Sequence, residues 1–332
     1  MKTKWLPLLM LVLLMTWMGL LLSGCAQDEM QVVQVNEVTH SVFYAPFYAA
    51  INLGYFEEEG IQVELTNGGG SDKSMTALLS GQAQIGLMGP ETAVYVCNEG
   101  KEDHAVVIGQ LTKRDGSFLL GKTPDDNFDW SKLEGTSVIG GRAGGMPQMT
   151  LDYVLKQHGL VHGQNITVRT DVQFNLMGGA FIGGDDDYVT MFEPSASTME
   201  LAGEGYIVAS VGEAGGEVPY TCFMVKKSYL EDNKEMLTGF IRAVYRGQQY
   251  VTSNEAEDVA TTLAPSFADN DVELLTVVVQ RYKDIDVWKT DPVMLEADYG
   301  RLLEIIKAAG VIEAGPDYAV LIDNSIAESV RK

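Results

Sequence analysis

Apolar and polar residues alternate along 31–38, the two-residue period of a strand with one buried face. The pattern then changes. Residues 46–58 carry helix signals, and 61–65 read as a second strand. Gly68, Gly69, Gly70 and Ser71 lead into a helix marked by Met75, Leu78 and Leu79. Residues 83–88 form a third strand, and Gly89-Pro90 opens a helix that reaches Cys97. Strands and helices alternate over short connections, which predicts an α/β unit around a largely parallel sheet.

The same rhythm restarts near Gly116. Val138, Ile139 and Gly140 read as a strand, and Gly144, Gly145, Met146 and Pro147 lead into a helix carrying Met149, Leu151, Val154 and Leu155. Residues 166–172, 188–192 and 206–211 are further strands, with Glu193-Pro194 opening a helix between the last two. The Gly-rich stretch 212–216 reads as a linker. From Lys227 the chain is mostly helical: Phe240, Ile241, Val244, Tyr245, Gln248 and Val251 keep the 3.6-residue period, as do Leu302, Leu303, Ile305, Ile306 and Ala309.

Pro46, Pro90, Pro147 and Pro194 each stand between a strand and a helix. Proline suits the first helical turn, where its missing N–H costs nothing. Open α/β sheets bind ligands beyond the carboxyl ends of their strands. Two of these junctions fall in each unit, so four helix starts would line one cleft if the units face each other.

Lys2 and Lys4 precede an apolar run ending at Leu22, followed by Ser23-Gly24-Cys25. This is the layout of a secretory signal peptide. The cysteine directly after Leu-Ser-Gly resembles the lipobox of bacterial lipoproteins, which implies lipidation of Cys25 and removal of 1–24. The chain would then work outside the cytoplasm, anchored to the membrane by lipid. The net charge of −23 becomes −25 once Lys2 and Lys4 are lost. Such a surface repels phosphate backbones and excludes nucleic acid as a partner. Beyond Cys25 only Cys97 and Cys222 remain, with no CxxC; both read as small buried hydrophobes, although an extracellular compartment also permits a disulfide between them.

Several residues at the strand ends have ligand-binding chemistry. Glu91 follows Pro90 at a helix mouth, and Glu193 precedes Pro194 at a strand end, where it can accept from an amine or ring N–H. His40 lies in the first strand-to-helix loop, and Phe43 and Tyr44 can stack on a flat ring. Gly70, Ser71, Gly145 and Met146 offer backbone N–H groups to an anion. Arg142 and Arg114 are the nearby cations, available to a ligand, to solvent or to a cross-lobe salt bridge. Asp185-Asp186-Asp187 lacks EF-hand spacing and reads as a solvated loop.

The stretches FYAPFYAAINLGYFEEEGIQVEL, GGGSDKSMTALLSGQAQIGLMGPETAVYV and FEPSAS resemble the solute-binding components of ABC importers. The resemblance is to the branch that binds alkanesulfonates, taurine, nitrate and thiamine-pyrimidine precursors. It implies a two-lobed, type II periplasmic-binding-protein-like fold, each lobe a mainly parallel sheet flanked by helices. Residues 25–30 would be a tether, 31–113 and 219–332 the first lobe, and 114–218 the second. Two crossing strands, near Gln110-Leu111-Thr112 and Val218-Pro219-Tyr220, would form the hinge. Met88, Gln110 and Tyr220 thereby join the expected ligand set. The partners implied are a small molecule and a permease–ATPase complex, the binding protein itself being a monomer without cofactor or metal.

Two glutamates with His40, Phe43, Tyr44 and Tyr220 suit a flat, nitrogen-containing ring such as a thiamine-pyrimidine precursor. Alkanesulfonate, taurine or nitrate is the alternative, since helix N-termini bind anions. The chain also distantly resembles a pyrimidine-forming synthase of the same fold, but that family's CCCFC segment is missing. No nucleophile–base arrangement marks an enzyme.

Overall fold

The computed structural model describes residues 30–331. The expected signal peptide and lipobox-like segment, with Cys25, lie outside them. Among the described residues, no helix is long and apolar enough to cross a membrane.

Two five-stranded sheets carry the fold. The first contains β1 (Gln31–Glu37), β2 (Ile61–Asn67), β3 (Ile85–Met88), β4 (Ala105–Thr112) and β10 (Thr221–Lys226), in the order β2-β1-β3-β10-β4. The second contains β5 (Ser117–Gly121), β6 (Ser137–Ile139), β7 (Thr167–Arg169), β8 (Tyr188–Phe192) and β9 (Tyr206–Ser210), in the order β7-β6-β8-β5-β9. The two orders are equivalent, and helices flank both sheets.

Each sheet is mainly parallel, as expected, with one reversed strand that makes it mixed. β1 pairs in parallel with β2 and β3, but β10 runs antiparallel to β3 and β4. Likewise β6 is parallel to β7 and β8, while β5 runs antiparallel to β8 and β9. The reversed strand is in each case the one laid down on arrival from the other lobe. It starts at the cleft, where its neighbours end: Ser117 pairs with Phe192, and Cys222 with Met88. A strand that enters from the cleft must run away from it.

The two crossings lie side by side. The Val218 N–H donates to the Lys113 carbonyl (2.9 Å), and the Tyr220 N–H to the Thr112 carbonyl (3.2 Å). The glycines at 212–216 are not a linker. Val211–Gly215 is a helix whose Ser210 hydroxyl accepts from the Glu213 N–H (3.2 Å). Gly212 is packed so closely that a Cβ would lie 2.0 Å from the Asp115 carbonyl oxygen. The expected helix over 46–58 is also divided. Ala45–Asn52 and Tyr55–Glu58 are separate helices, because Gly54 takes a left-handed conformation (φ 73°) between them.

Most of the core lies under the first sheet. There Phe47, Phe56, Phe223 and Phe240 pack edge to face or tilted, and the 20-residue helix Lys234–Ser253 buries Leu237, Phe240, Ile241, Val244 and Val251. A second cluster under the other sheet gathers Leu119, Trp130, Leu133, Val138, Leu151, Val154 and Leu155.

Candidate functional site

A cavity of about 280 Å³ opens between the cleft ends of the two sheets. Val38 and Thr39, Phe43 and Tyr44, Gly70 to Asp72, and Gly89, Glu91, Thr92 and Tyr95 line it from the first lobe. Arg142 to Pro147, Phe174 and Phe192 face them from the second, with Tyr220 and Thr221 at the crossing. The helices Ser71–Ser80, Glu91–Asn98 and Met146–Gln157 all begin at its wall. Three of the four proline junctions reach the cavity: Pro147 lines it directly, and Pro46 and Pro90 reach it through Tyr44 and Glu91. The fourth, at Pro194, faces an adjoining recess lined by His40, Ser41, Lys73, Asn175, Glu193 and Ser195. Pro90 and Pro194 stand one position earlier than expected, as N-caps.

Aromatic rings make the cavity's flat walls. Phe43 sits 5.4 Å from Phe192 of the opposite lobe, 5.5 Å from Tyr44 and 5.6 Å from Tyr220, centroid to centroid. It is fixed from behind: a Cβ at Gly116 would lie 2.3 Å from its ring, and its carbonyl accepts from the Trp288 indole (2.8 Å). Tyr220 donates to Asp115 (2.9 Å), which also accepts from the Ser117 N–H (2.7 Å). Burial pushes the Asp115 carboxyl up to about 7.

Glu91 has no exposed surface, and neither carboxylate oxygen has a hydrogen-bond partner. Burial pushes its pKa up to about 8; the Glu91 and Met146 backbone and the Ser71 hydroxyl lie near enough to oppose that rise only in part. Arg142 is the one basic residue on the cavity wall among the described residues, and it is already engaged. Its guanidinium holds Asp72 of the other lobe through two bonds, 2.7 and 3.0 Å. Gly70 permits this pair, since a Cβ there would lie 2.6 Å from both Arg142 Nη1 and Asp72 Oδ1. Arg114 pairs with Glu217 across the crossings (3.3 Å).

Eight of the twelve expected contact residues line the cavity: Phe43, Tyr44, Gly70, Ser71, Glu91, Gly145, Met146 and Tyr220. Four do not. Glu193 is buried, but its carboxylate is filled by the Ser197 N–H (2.9 Å), the Ser197 hydroxyl (2.8 Å) and Arg281 of the first lobe (2.6 Å). Its N–H donates to the Tyr282 hydroxyl (3.1 Å), and its carbonyl accepts from Ser41. It is a cross-lobe joint, with its side chain fully buried and both carboxylate oxygens already bonded within the protein. His40 is held by Tyr48 (2.9 Å), Glu37 (3.1 Å) and the Ser266 carbonyl (2.7 Å), and stacks on Phe267. The bond to Glu37 raises its pKa. Met88 is inside the sheet, packed over Gly86. Gln110 is buried with its amide on the Thr112 carbonyl (3.0 Å).

Sequence reasoning missed Tyr95, Phe192 and Phe174. Tyr95 was within reach: it stands four residues after Glu91 and so shares its helix face. Phe192 adjoins Glu193 at the strand end, whereas Phe174 lies in a 3-10 turn with no periodic signal. The Asp185–Asp187 run is also not simply solvated, because Asp186 is buried against Arg169 (2.6 Å). Among the described residues no acidic, His or Cys cluster could hold a metal ion. Cys97 and Cys222 are free thiols, Cys222 buried and Cys97 only half-buried.

Comparison with known proteins places this architecture. Residues 42–258 match the family model described as NMT1/THI5 like. The chain belongs to that family. It is 40% identical over 310 residues to YtlA of Bacillus subtilis (strain 168), described provisionally as a binding protein, covering 93% of each chain. Two solved structures share the fold at low identity. One is the alkanesulfonate-binding protein SsuA from Xanthomonas axonopodis pv. citri bound to MOPS: TM-score 0.72, 14% identity, 90% of this chain and 100% of that one. The other is the periplasmic nitrate-binding protein NrtA from Synechocystis PCC 6803: TM-score 0.71, 15% identity, 91% and 88%. These relatives are binding proteins, not enzymes.

Proposed function

We propose that this chain is the extracytoplasmic solute-binding lipoprotein of an ABC importer. It holds a small, flat, nitrogen-containing organic molecule, similar to a thiamine-pyrimidine precursor, between its lobes and delivers it to a permease–ATPase complex. Lipid on Cys25 keeps the monomer at the membrane and raises its effective concentration near that permease. The carrying observation is the charge and shape of the cavity. Its walls are aromatic, the one cation lining it among the described residues is spent on Asp72, and its most deeply buried ionisable group is the carboxyl of Glu91.

The second reading, an alkanesulfonate, taurine or nitrate, is favoured by the three helix N-termini at the wall. A protonated Glu91 would not repel such an anion. Thermal melting with a panel of pyrimidines, flavins, sulfonates, taurine and nitrate decides between them. A ligand at a hundredfold excess over Kd stabilises by about 2.7 kcal/mol. Shifts are expected with pyrimidines; shifts with sulfonate or nitrate alone would replace the first reading by the second.

A further inference from the structure

Two hydroxyls beside Glu91 are spent elsewhere: Thr92 donates to the Gly89 carbonyl (2.7 Å), and Tyr95 donates across the cleft to the Gly144 carbonyl (2.9 Å). Ser71 accepts from the Gly89 N–H (3.4 Å) and makes no hydrogen bond to the carboxyl. The carboxyl lies flat on the backbone of Gly89, where a Cβ would come within 2.0 Å of Oε2 and 2.6 Å of Oε1. No other residue would allow this placement. A carboxyl fixed in a buried wall with both oxygens unpaired costs stability unless something fills it.

We propose that Glu91 is the specificity-determining residue of this cavity. It recognises an amidine-type edge, a ring nitrogen beside an exocyclic amino group, through two parallel hydrogen bonds. The assignment rests on the reading that a flat ring enters between the lobes. The two oxygens are spaced as such an edge requires: one accepts from the amino N–H, and the other shares one proton with the ring nitrogen. Burial already keeps Glu91 protonated at neutral pH, which supplies that proton without a counter-cation. The titratable groups facing it are the phenols of Tyr44, Tyr95 and Tyr220 and the Cys222 thiol, all pushed upward by burial and neutral here. The Asp72–Arg142 pair stands at the rim. Affinity should therefore fall as pH rises above about 8, when the shared proton is lost.

The test is titration calorimetry on the full-length protein with 4-aminopyrimidine, pyrimidine, 4-(dimethylamino)pyrimidine and benzenesulfonate. 4-Aminopyrimidine should bind about tenfold or more tightly than the two rings without an amino N–H. Glu91→Leu should erase that preference. Glu91→Gln keeps one donor and one acceptor, so it should keep the preference and lose the decline above about pH 8. If 4-aminopyrimidine and pyrimidine bind equally, or if Glu91→Leu keeps the preference, the role of Glu91 is wrong while ring binding stands. If benzenesulfonate binds and no pyrimidine does, the underlying reading falls as well.

Discussion

Asp115 and Glu91 are carboxyls that folding takes wholly out of water. Burial raises Asp115 to about 7 and Glu91 to about 8, whereas both sit near 4 in an unfolded chain. The sign follows directly. Each contributes stability that is fully present below about pH 4 and is lost as pH rises through its folded value. Urea unfolding of the ligand-free protein should therefore show a midpoint that declines between about pH 4 and 8, and Glu91→Gln should flatten the part above about pH 7, where Asp115 has already ionised. At pH 9 Glu91→Gln should be the more stable protein by roughly 2 kcal/mol, because an uncompensated charge has been removed. Glu193 is the opposite case. All its polar atoms are used, so Glu193→Gln should cost about 1–3 kcal/mol while leaving 4-aminopyrimidine affinity within about threefold. A large loss of affinity at unchanged stability would return Glu193 to the ligand set. From the sequence Glu193 stood slightly ahead of Glu91 as a ligand acceptor; Ser197 four residues on and Arg281 from 88 positions away occupy its carboxylate, whereas Glu91 is left unpaired on the cavity wall.

At the scale of elements, β1 and β8 are legible because their burial is uneven along the strand, and β3, though wholly buried, because Gly89-Pro90 marks its end and the start of the next helix. β4, β5 and β10 are not. Every residue of β4 and β5 is buried, as are all but the last of β10, so none of the three alternates. The reversed direction of β5 and β10 is a consequence of where the chain crosses, and no local pattern records it. The glycines of 212–216 misled for a related reason. Glycine marks close approach as readily as a loose turn, and the partner at Gly212 is the Asp115 carbonyl in the other crossing. Gly212→Ala should cost about 1–3 kcal/mol, since backbone must shift to admit the methyl. Gly179→Ala, in the helix Met177–Gly183, meets nothing within 4 Å and should be neutral or slightly stabilising. Equal effects at the two sites in urea denaturation would remove close packing as the explanation.

The whole molecule is closed over the cavity by contacts on two sides. On one side stand Asp72–Arg142 and Tyr95–Gly144; on the other, Glu193 gathers Ser41, Arg281 and Tyr282. The sides differ in exposure. Asp72 is 59% exposed and Arg142 29%, while the Glu193 side chain is fully buried. An exposed ion pair contributes about 0.2–1 kcal/mol, whereas breaking a buried one by removing a partner costs about 3–5 kcal/mol. The lobes should therefore part at the Asp72–Arg142 side and pivot about Glu193. Arg142→Met would weaken the opening side only. It should speed release of a bound ring about two- to fivefold, as loss of up to about 1 kcal/mol requires, with a larger radius of gyration in solution scattering of the ligand-free protein. Arg281→Met should instead lower the unfolding midpoint, because it leaves Glu193 buried without its cation. Unchanged release from Arg142→Met, with faster release from Arg281→Met, would place the opening on the other side of the cavity.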